Sequence, residues 1–121
     1  MTRIRTNAIR TIAGSLSVLG CLALGATAAQ AEALSAEEIV ALHADQCITY
    51  WGVSEGTQCF TADGATNYDD TTYGTDTGRW EMSGDEMCVN WDNEPGGFAC
   101  GPIWRVDAET FSDGDYSWRL N

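Results

Sequence analysis

The chain has 121 residues, six basic side chains against eighteen acids, and a net charge of −12. Lysine is absent, which excludes Schiff-base and phosphate-lysine chemistry. The charge repels nucleic acid, whose binding rests on phosphate neutralisation by Lys and Arg, and it repels anionic membrane surfaces.

Residues 1–31 have the order of a cleavable secretory signal. Arg3, Arg5 and Arg10 supply the basic start, Thr11 to Ala26 the apolar run, and Ala29-Gln30-Ala31 the small residues that a signal peptidase reads. The run is diluted by Thr, Ser and Gly and falls short of the about 20 apolar residues of a membrane span. Cys21 lies inside it, with Leu22-Ala23-Leu24 still to come, a poor fit to a lipoprotein site. The exported chain, periplasmic or extracellular, is expected to begin at Glu32, leaving residues 32–121 as a single acidic β-rich domain. That domain carries all eighteen acids against Arg79, Arg105 and Arg119, a net charge of −15. Such a charge favours cationic partners or divalent cations and keeps a protein soluble, and a monomer is expected. It is equally what a protein facing salty water carries, because seawater salt shortens the Debye length to a few ångströms.

Leu34-Ser35-Ala36-Glu37-Glu38-Ile39 predicts a short N-terminal helix. Ser35 caps it, Glu38 completes a capping box, and Leu34 staples onto Ile39. Ala36, Ile39, Val40 and His43 make one apolar stripe, with Leu42 beside it, and the helix is expected to end near Asp45.

Beyond it the hydrophobic period falls to two. Cys47-Ile48-Thr49-Tyr50-Trp51 and Thr57-Gln58-Cys59-Phe60-Thr61 are β-branched and aromatic runs around a turn-rich Gly52 to Gly56. Asp63-Gly64 signals a tight turn. Ala65 to Asp76 is polar and reads as an edge strand or an open loop. Arg79 to Met82 and Met87 to Trp91 alternate cleanly about Ser83-Gly84-Asp85, and Asp92 to Gly97 is a loop by composition. Phe98 to Val106 is strand-like but broken by Gly101-Pro102, which argues for a sheet edge or a bulge. Tyr116, Trp118 and Leu120 share one face of the closing strand. The expected fold is mainly β, the short N-terminal helix being followed by an antiparallel meander or small barrel of about six to eight short strands.

Cys47, Cys59, Cys88 and Cys100 remain after the signal, and an even set in a small exported domain reads as two disulfides. No two are closer than 12 positions, whereas structural zinc sites use close pairs. Four cysteines allow three pairings, and residue types do not choose among them.

Phe60-x-x-Asp63-Gly64, Gly78-Arg79-Trp80, Gly84-Asp85, Cys88-Val89-Asn90-Trp91, Cys100 and Asp113-Gly114-Asp115-Tyr116 form a pattern across nearly all of residues 32–121. It resembles the small exported proteobacterial proteins grouped as domain-of-unknown-function family 995. The shared motifs are structural, so the resemblance brings no activity and no catalytic residue. It implies Cys88–Cys100 as a bridge, while Cys47 and Cys59 are additions to the family pattern. Each 12-residue interval also suits two facing strands of a hairpin, with turns near Val53 and Glu94, so the expected bridges are Cys47–Cys59 and Cys88–Cys100.

Catalytic chemistry has few candidates. His43 is the single histidine and lies on the apolar stripe, where a packing role fits better than a triad. No Gly-x-Ser-x-Gly elbow, phosphate loop or dinucleotide fingerprint occurs. Asp69-Asp70, Asp85-Glu86 and Asp113 with Asp115 are paired carboxylates of the kind glycoside hydrolysis uses, but they read as solvated turn residues. Phe111 breaks the register of a calcium loop ahead of Asp113-Gly114. No catalytic residue, cofactor or metal ligand is therefore assigned. All twelve aromatics lie in residues 32–121. At least three of the five tryptophans are expected in the core, and Trp51 and Trp104 are the candidates for an exposed aromatic contact surface.

The leading functional expectation is a non-enzymatic binding protein that docks a cationic partner through its acidic surface. A small carboxylate-dependent hydrolase and a structural envelope component are the alternatives. A concave site with a buried carboxylate would favour the hydrolase; a convex acidic face around exposed tryptophan would favour the binder.

Overall fold

The computed structural model describes residues 32–121, so the expected secretory signal lies outside the described residues. A two-residue strand, β1 (Glu32–Ala33), precedes helix α1 (Ala36–His43), which is therefore not the first element. The capping box forms as the sequence requires: the Glu38 amide donates to Ser35 Oγ at 3.2 Å, and Glu38 Oε1 accepts from the Ser35 amide at 2.9 Å. That backbone bond, with the Ser35 hydroxyl, lowers the Glu38 titration. Asp45 adopts a left-handed φ of 62° directly after the helix cap, the position where helices commonly end in that conformation. The apolar stripe is narrower than its spacing suggests. Ile39 and His43 are buried, whereas Val40 is exposed, because only the i, i+4 row faces the sheet.

Nine further strands follow: β2 (Gln46–Gly52), β3 (Gly56–Phe60), β4 (Ala65–Asp70), β5 (Gly74–Ser83), β6 (Glu86–Trp91), β7 (Ala99–Gly101), β8 (Trp104–Arg105), β9 (Phe111–Ser112) and β10 (Tyr116–Leu120). Ten strands thus replace the expected six to eight. The surplus comes from two-residue strands, β1, β8 and β9, which are too short to show a period. All pair antiparallel in one sheet of order β1-β8-β9-β10-β2-β3-β4-β5-β6-β7. The polar stretch from Ala65 is an interior strand, β4, hydrogen-bonded to β3 and β5, and not an edge or a loop. The break at Gly101-Pro102 does mark an edge, since β7 ends the sheet.

Connectivity forces the sheet to curl. β7 ends the strand order and β8 stands next to its other end, yet Gly101 and Trp104 are three residues apart, a reach of at most about 11 Å. The sheet bends into a half-barrel to satisfy this. Along each strand, residues turned inward alternate with residues turned outward: Ile48 and Tyr50 in β2, Phe60 in β3, Trp80 in β5 and Trp118 in β10 are all buried. Cys47, Cys59 and Cys88 have the opposite parity, and of the three Cys88 is nonetheless buried. Register sets Cys47 opposite Cys59 and Cys88 opposite Cys100, and both bridges form, with Cα atoms 4.0 and 3.9 Å apart.

α1 packs against β2 and β6. Leu34, Ile39, Ile103 and Phe111 join the inward residues to make the core. Only two tryptophans are fully in it. Trp80 and Trp118 are buried, Trp91 and Trp104 are half-buried, and Trp51 is 36% exposed. The shortfall has a geometric cause: Trp51 has the outward parity in β2, and Trp91 lies on the part of the concave face left open.

Candidate functional site: an acidic aromatic cleft

The open part of the concave face is a cleft of about 1250 Å3, larger than the ~300–1,000 Å3 of ordinary ligand sites. Its floor is apolar: the buried core residues Ile48, Phe60, Ile103 and Trp118 border it, and the partly buried Met87 and Val89 supply its accessible surface. Its walls are aromatic. Tyr50 and Tyr116 meet edge to face with ring centres 5.4 Å apart, and Tyr68 and Trp91 meet at 4.6 Å and 82°. Both arrangements are the ones the ring quadrupole prefers. Trp91 owes its position to Gly78 of β5, its cross-strand partner. A Cβ at Gly78 would lie 2.9 Å from Trp91 Cε3 and 2.4 Å from the Asn90 carbonyl oxygen, so only glycine lets the indole lie against the β5 backbone.

Five carboxylates line the cleft: Asp70, Asp76, Glu94, Asp113 and Asp115. No basic side chain among the described residues does. The three arginines are used elsewhere. Arg79 donates to the Asp63 carbonyl, Arg105 lies 5.0 Å from the Phe111 ring centre, and Arg119 lies 5.6 Å from that of Trp51. Arg105 and Arg119 line a separate, smaller cleft of about 240 Å3 beside Leu42 and Leu120.

Asp70 and Asp76 are buried, at 6% and 7% exposure, where the sequence reading has acids in solvated turns. They are tolerated because their lone pairs are filled. Asp70 Oδ2 accepts from the Tyr50 and Ser54 hydroxyls, both at 2.6 Å, and Oδ1 accepts from the amides of Thr72 and Tyr73 at 2.7 and 2.9 Å. Burial acts to raise the Asp70 titration, but these four donors outweigh it and hold the carboxyl well below the usual range. The Tyr50 hydroxyl is pushed up in turn, by burial first and then by its bond to Asp70. Asp76 Oδ1 accepts from the Thr77 amide and from Asn93 Nδ2, and Oδ2 accepts from the Asn93 amide. Asn93 thereby ties the β6–β7 loop to β5. The Tyr68 hydroxyl is pushed up by burial and then by the negative field of Asp76, Glu94 and Asp70.

The two tryptophans singled out from the sequence are not brought together. Trp51 is on β2 and Trp104 on β8, with β10 and β9 between them, and neither lines the cleft. Of the cleft residues, sequence reasoning missed Tyr68 and Asp76 and read Asp70 as a solvated turn residue, although it is buried. Their signal was the alternation Thr66, Tyr68, Asp70 and then Asp76, Gly78, Trp80, hidden because most inward positions are polar. His43 is closed to chemistry. It is fully buried, its Nδ1 lies 2.7 Å from the Ile39 carbonyl oxygen, and its Nε2 accepts from Trp118 Nε1 at 3.1 Å. Among the described residues no cluster of His, Cys, Asp and Glu is arranged to hold a metal ion, and no helix is long and apolar enough to cross a membrane. Two disulfides suit an oxidising, non-cytoplasmic setting. No family model, curated protein or solved structure matches the chain.

Proposed function

We propose that this is an exported binding protein that takes a cationic ligand into the concave face of its half-barrel. One observation carries the reading: a cleft of about 1250 Å3 lined by five carboxylates and by no base of the described residues. Low-dielectric aromatic walls focus the field of these charges toward the mouth, which raises the local concentration of cations and their rate of arrival. Outside the cleft, Arg119 lies 5.6 Å from the ring centre of Trp51 and puts positive charge beside that exposed tryptophan.

A buried carboxylate in a concave site is also what a hydrolase requires. A general acid, however, must hold its proton near neutral pH, and Asp70 is displaced in the opposite direction. Both oxygens of Asp76 are occupied as hydrogen-bond acceptors. Neither buried carboxylate of the cleft is thus poised as a proton donor, which favours binding over hydrolysis.

The test is a binding series against basic proteins and small organic cations across a salt gradient, with neutral analogues as controls. Saturable binding of cations that weakens by about tenfold or more toward seawater salt, mainly through the association rate, is the expected result. Stabilisation of the free protein by salt with no cation bound at any ionic strength would leave the acidity as salt adaptation and end the reading. Export is checked separately by the intact mass of the secreted product, which should begin at Glu32. Full-length chain recovered in the membrane would reverse that expectation.

A further inference from the structure

We propose that the corner between Tyr68 and Trp91 holds a quaternary ammonium group, and that the apolar floor of the cleft holds the hydrocarbon chain attached to it. The proposal rests on the cationic-ligand reading and names the ligand class.

The two rings stand at 82° with centres 4.6 Å apart, edge to face, so the corner offers the open face of one ring with the other ring beside it. Cations bind the faces of such rings, most strongly Trp and when desolvated. The charge around the corner is negative on two sides. Asp76 sits directly opposite Tyr68 in the β4–β5 register, and Glu94 of the β6–β7 loop and Asp70 also bear on the Tyr68 hydroxyl. Trp91 is held in place by the absence of a side chain at Gly78, and Asp76 by Asn93. The corner is therefore built before any ligand arrives, which lowers the ordering cost of binding.

The state of the two buried carboxylates at the corner, Asp70 and Asp76, favours one kind of cation, with Glu94 exposed on the loop. A metal ion needs free oxygen lone pairs at coordination distance, and a primary ammonium needs acceptors for three N–H donors. Asp70 already accepts four hydrogen bonds and Asp76 three. They supply a field and few acceptor sites. A quaternary ammonium has no N–H to satisfy, so a field and π faces are all it requires. The rest of the cleft then needs an occupant, and the accessible part of its lining at Met87, Val89 and Ala99 is apolar. A trimethylammonium head on an aliphatic chain satisfies both parts.

The experiment titrates the exported protein with hexyltrimethylammonium, hexylammonium and 1-hexanol, read by calorimetry and tryptophan fluorescence. Hexyltrimethylammonium should saturate and bind about tenfold tighter than either of the others. Tyr68→Leu should lose about that factor, and Tyr68→Phe, which keeps the ring face, should retain the affinity. Nuclear Overhauser contacts from the N-methyl protons to the Trp91 ring in the unmodified protein give a readout independent of any variant's folding. Equal affinity for 1-hexanol would reduce the site to an apolar groove and overturn the proposal. Hexylammonium or basic peptides binding as well or better would overturn it too, while leaving the cationic-ligand reading intact. Failure of every cation to bind would remove both.

Discussion

Removing the Cys88–Cys100 bridge is expected to do more damage than removing Cys47–Cys59, although each closes a loop of the same 12-residue separation. Chain entropy alone assigns both about 3 kcal/mol, a large part of the ~5–15 kcal/mol that holds a domain of this size. The strands they join differ in support. β2 and β3 lie inside the sheet, flanked by β10 and β4, so their pairing survives the loss of a covalent link. β7 has three residues, ends the sheet, and pairs with β6 alone. Cys88 is also 1% exposed, so its truncation leaves a void as well as a longer loop. Cys47→Ala/Cys59→Ala should lower the melting temperature by on the order of 15 °C with the native exchange pattern kept. Cys88→Ala/Cys100→Ala should lower it further and expose the amides of residues 99–101 to rapid hydrogen exchange. It should also weaken cation binding, because the loop carrying Glu94 would be held at one end only, by Asn93. Equal melting shifts with β7 still protected would show that the edge is held by its backbone ladder and not by the bridge.

Much of the frame was legible in the sequence because it follows from local chemistry. Ser35 and Glu38 make a capping box wherever the chain turns into a helix, and the equal cysteine intervals suit cross-strand bridges. Gly101-Pro102 cannot sit inside a sheet. The cleft was not legible, for two physical reasons. The first is that β4 buries Thr66 and Asp70 where a strand ordinarily buries Val or Ile. Thr66 Oγ1 donates to the Cys59 carbonyl at 2.8 Å, and Asp70 draws its donors from Tyr50, Ser54 and the next turn. Tyr50 and Ser54 lie 20 and 16 residues away, so a polarity pattern marks the segment as exposed. The second is curvature. Whether Trp91 fills a core or lines an opening depends on how far the sheet closes, and that is fixed by the short link from β7 to β8, not by any residue near Trp91. The choice of Trp51 and Trp104 as contact residues rested on composition alone, with no signal for the face each strand would turn outward.

His43 should subtract stability as pH falls below about 6.5, before carboxylates of ordinary titration take up protons. Burial lowers the His43 titration, and the bond to the Ile39 carbonyl only partly opposes this. The ring is surrounded by Phe60, Phe111 and Trp118, with ring centres 5.2, 6.5 and 6.0 Å away, and no carboxylate shares the site. Because Trp118 Nε1 donates to Nε2, the imidazole is neutral with its proton on Nδ1, and protonation would set two donors against each other. In the unfolded chain the same group titrates near 6.5. Between that value and the lower folded one the unfolded state binds more protons, so unfolding gains up to about 1.4 kcal/mol per pH unit of acidification. Asp70 acts later and with the same direction: its folded titration lies below its unfolded one, near 3.9, so its contribution is complete above that and is lost as pH falls through it. Acidification also relieves the repulsion of a −15 domain, which masks both effects in a raw stability curve. The comparison that isolates His43 is with His43→Gln, a non-titrating residue that keeps an acceptor for Trp118. The difference in unfolding free energy between the two proteins should rise with pH up to about 6.5 and then level off, measured by urea denaturation at each pH. A difference that stays constant from about pH 4.5 to 7.5 would mean that His43 keeps the same proton in both states and that its burial in the core is tolerated for another reason.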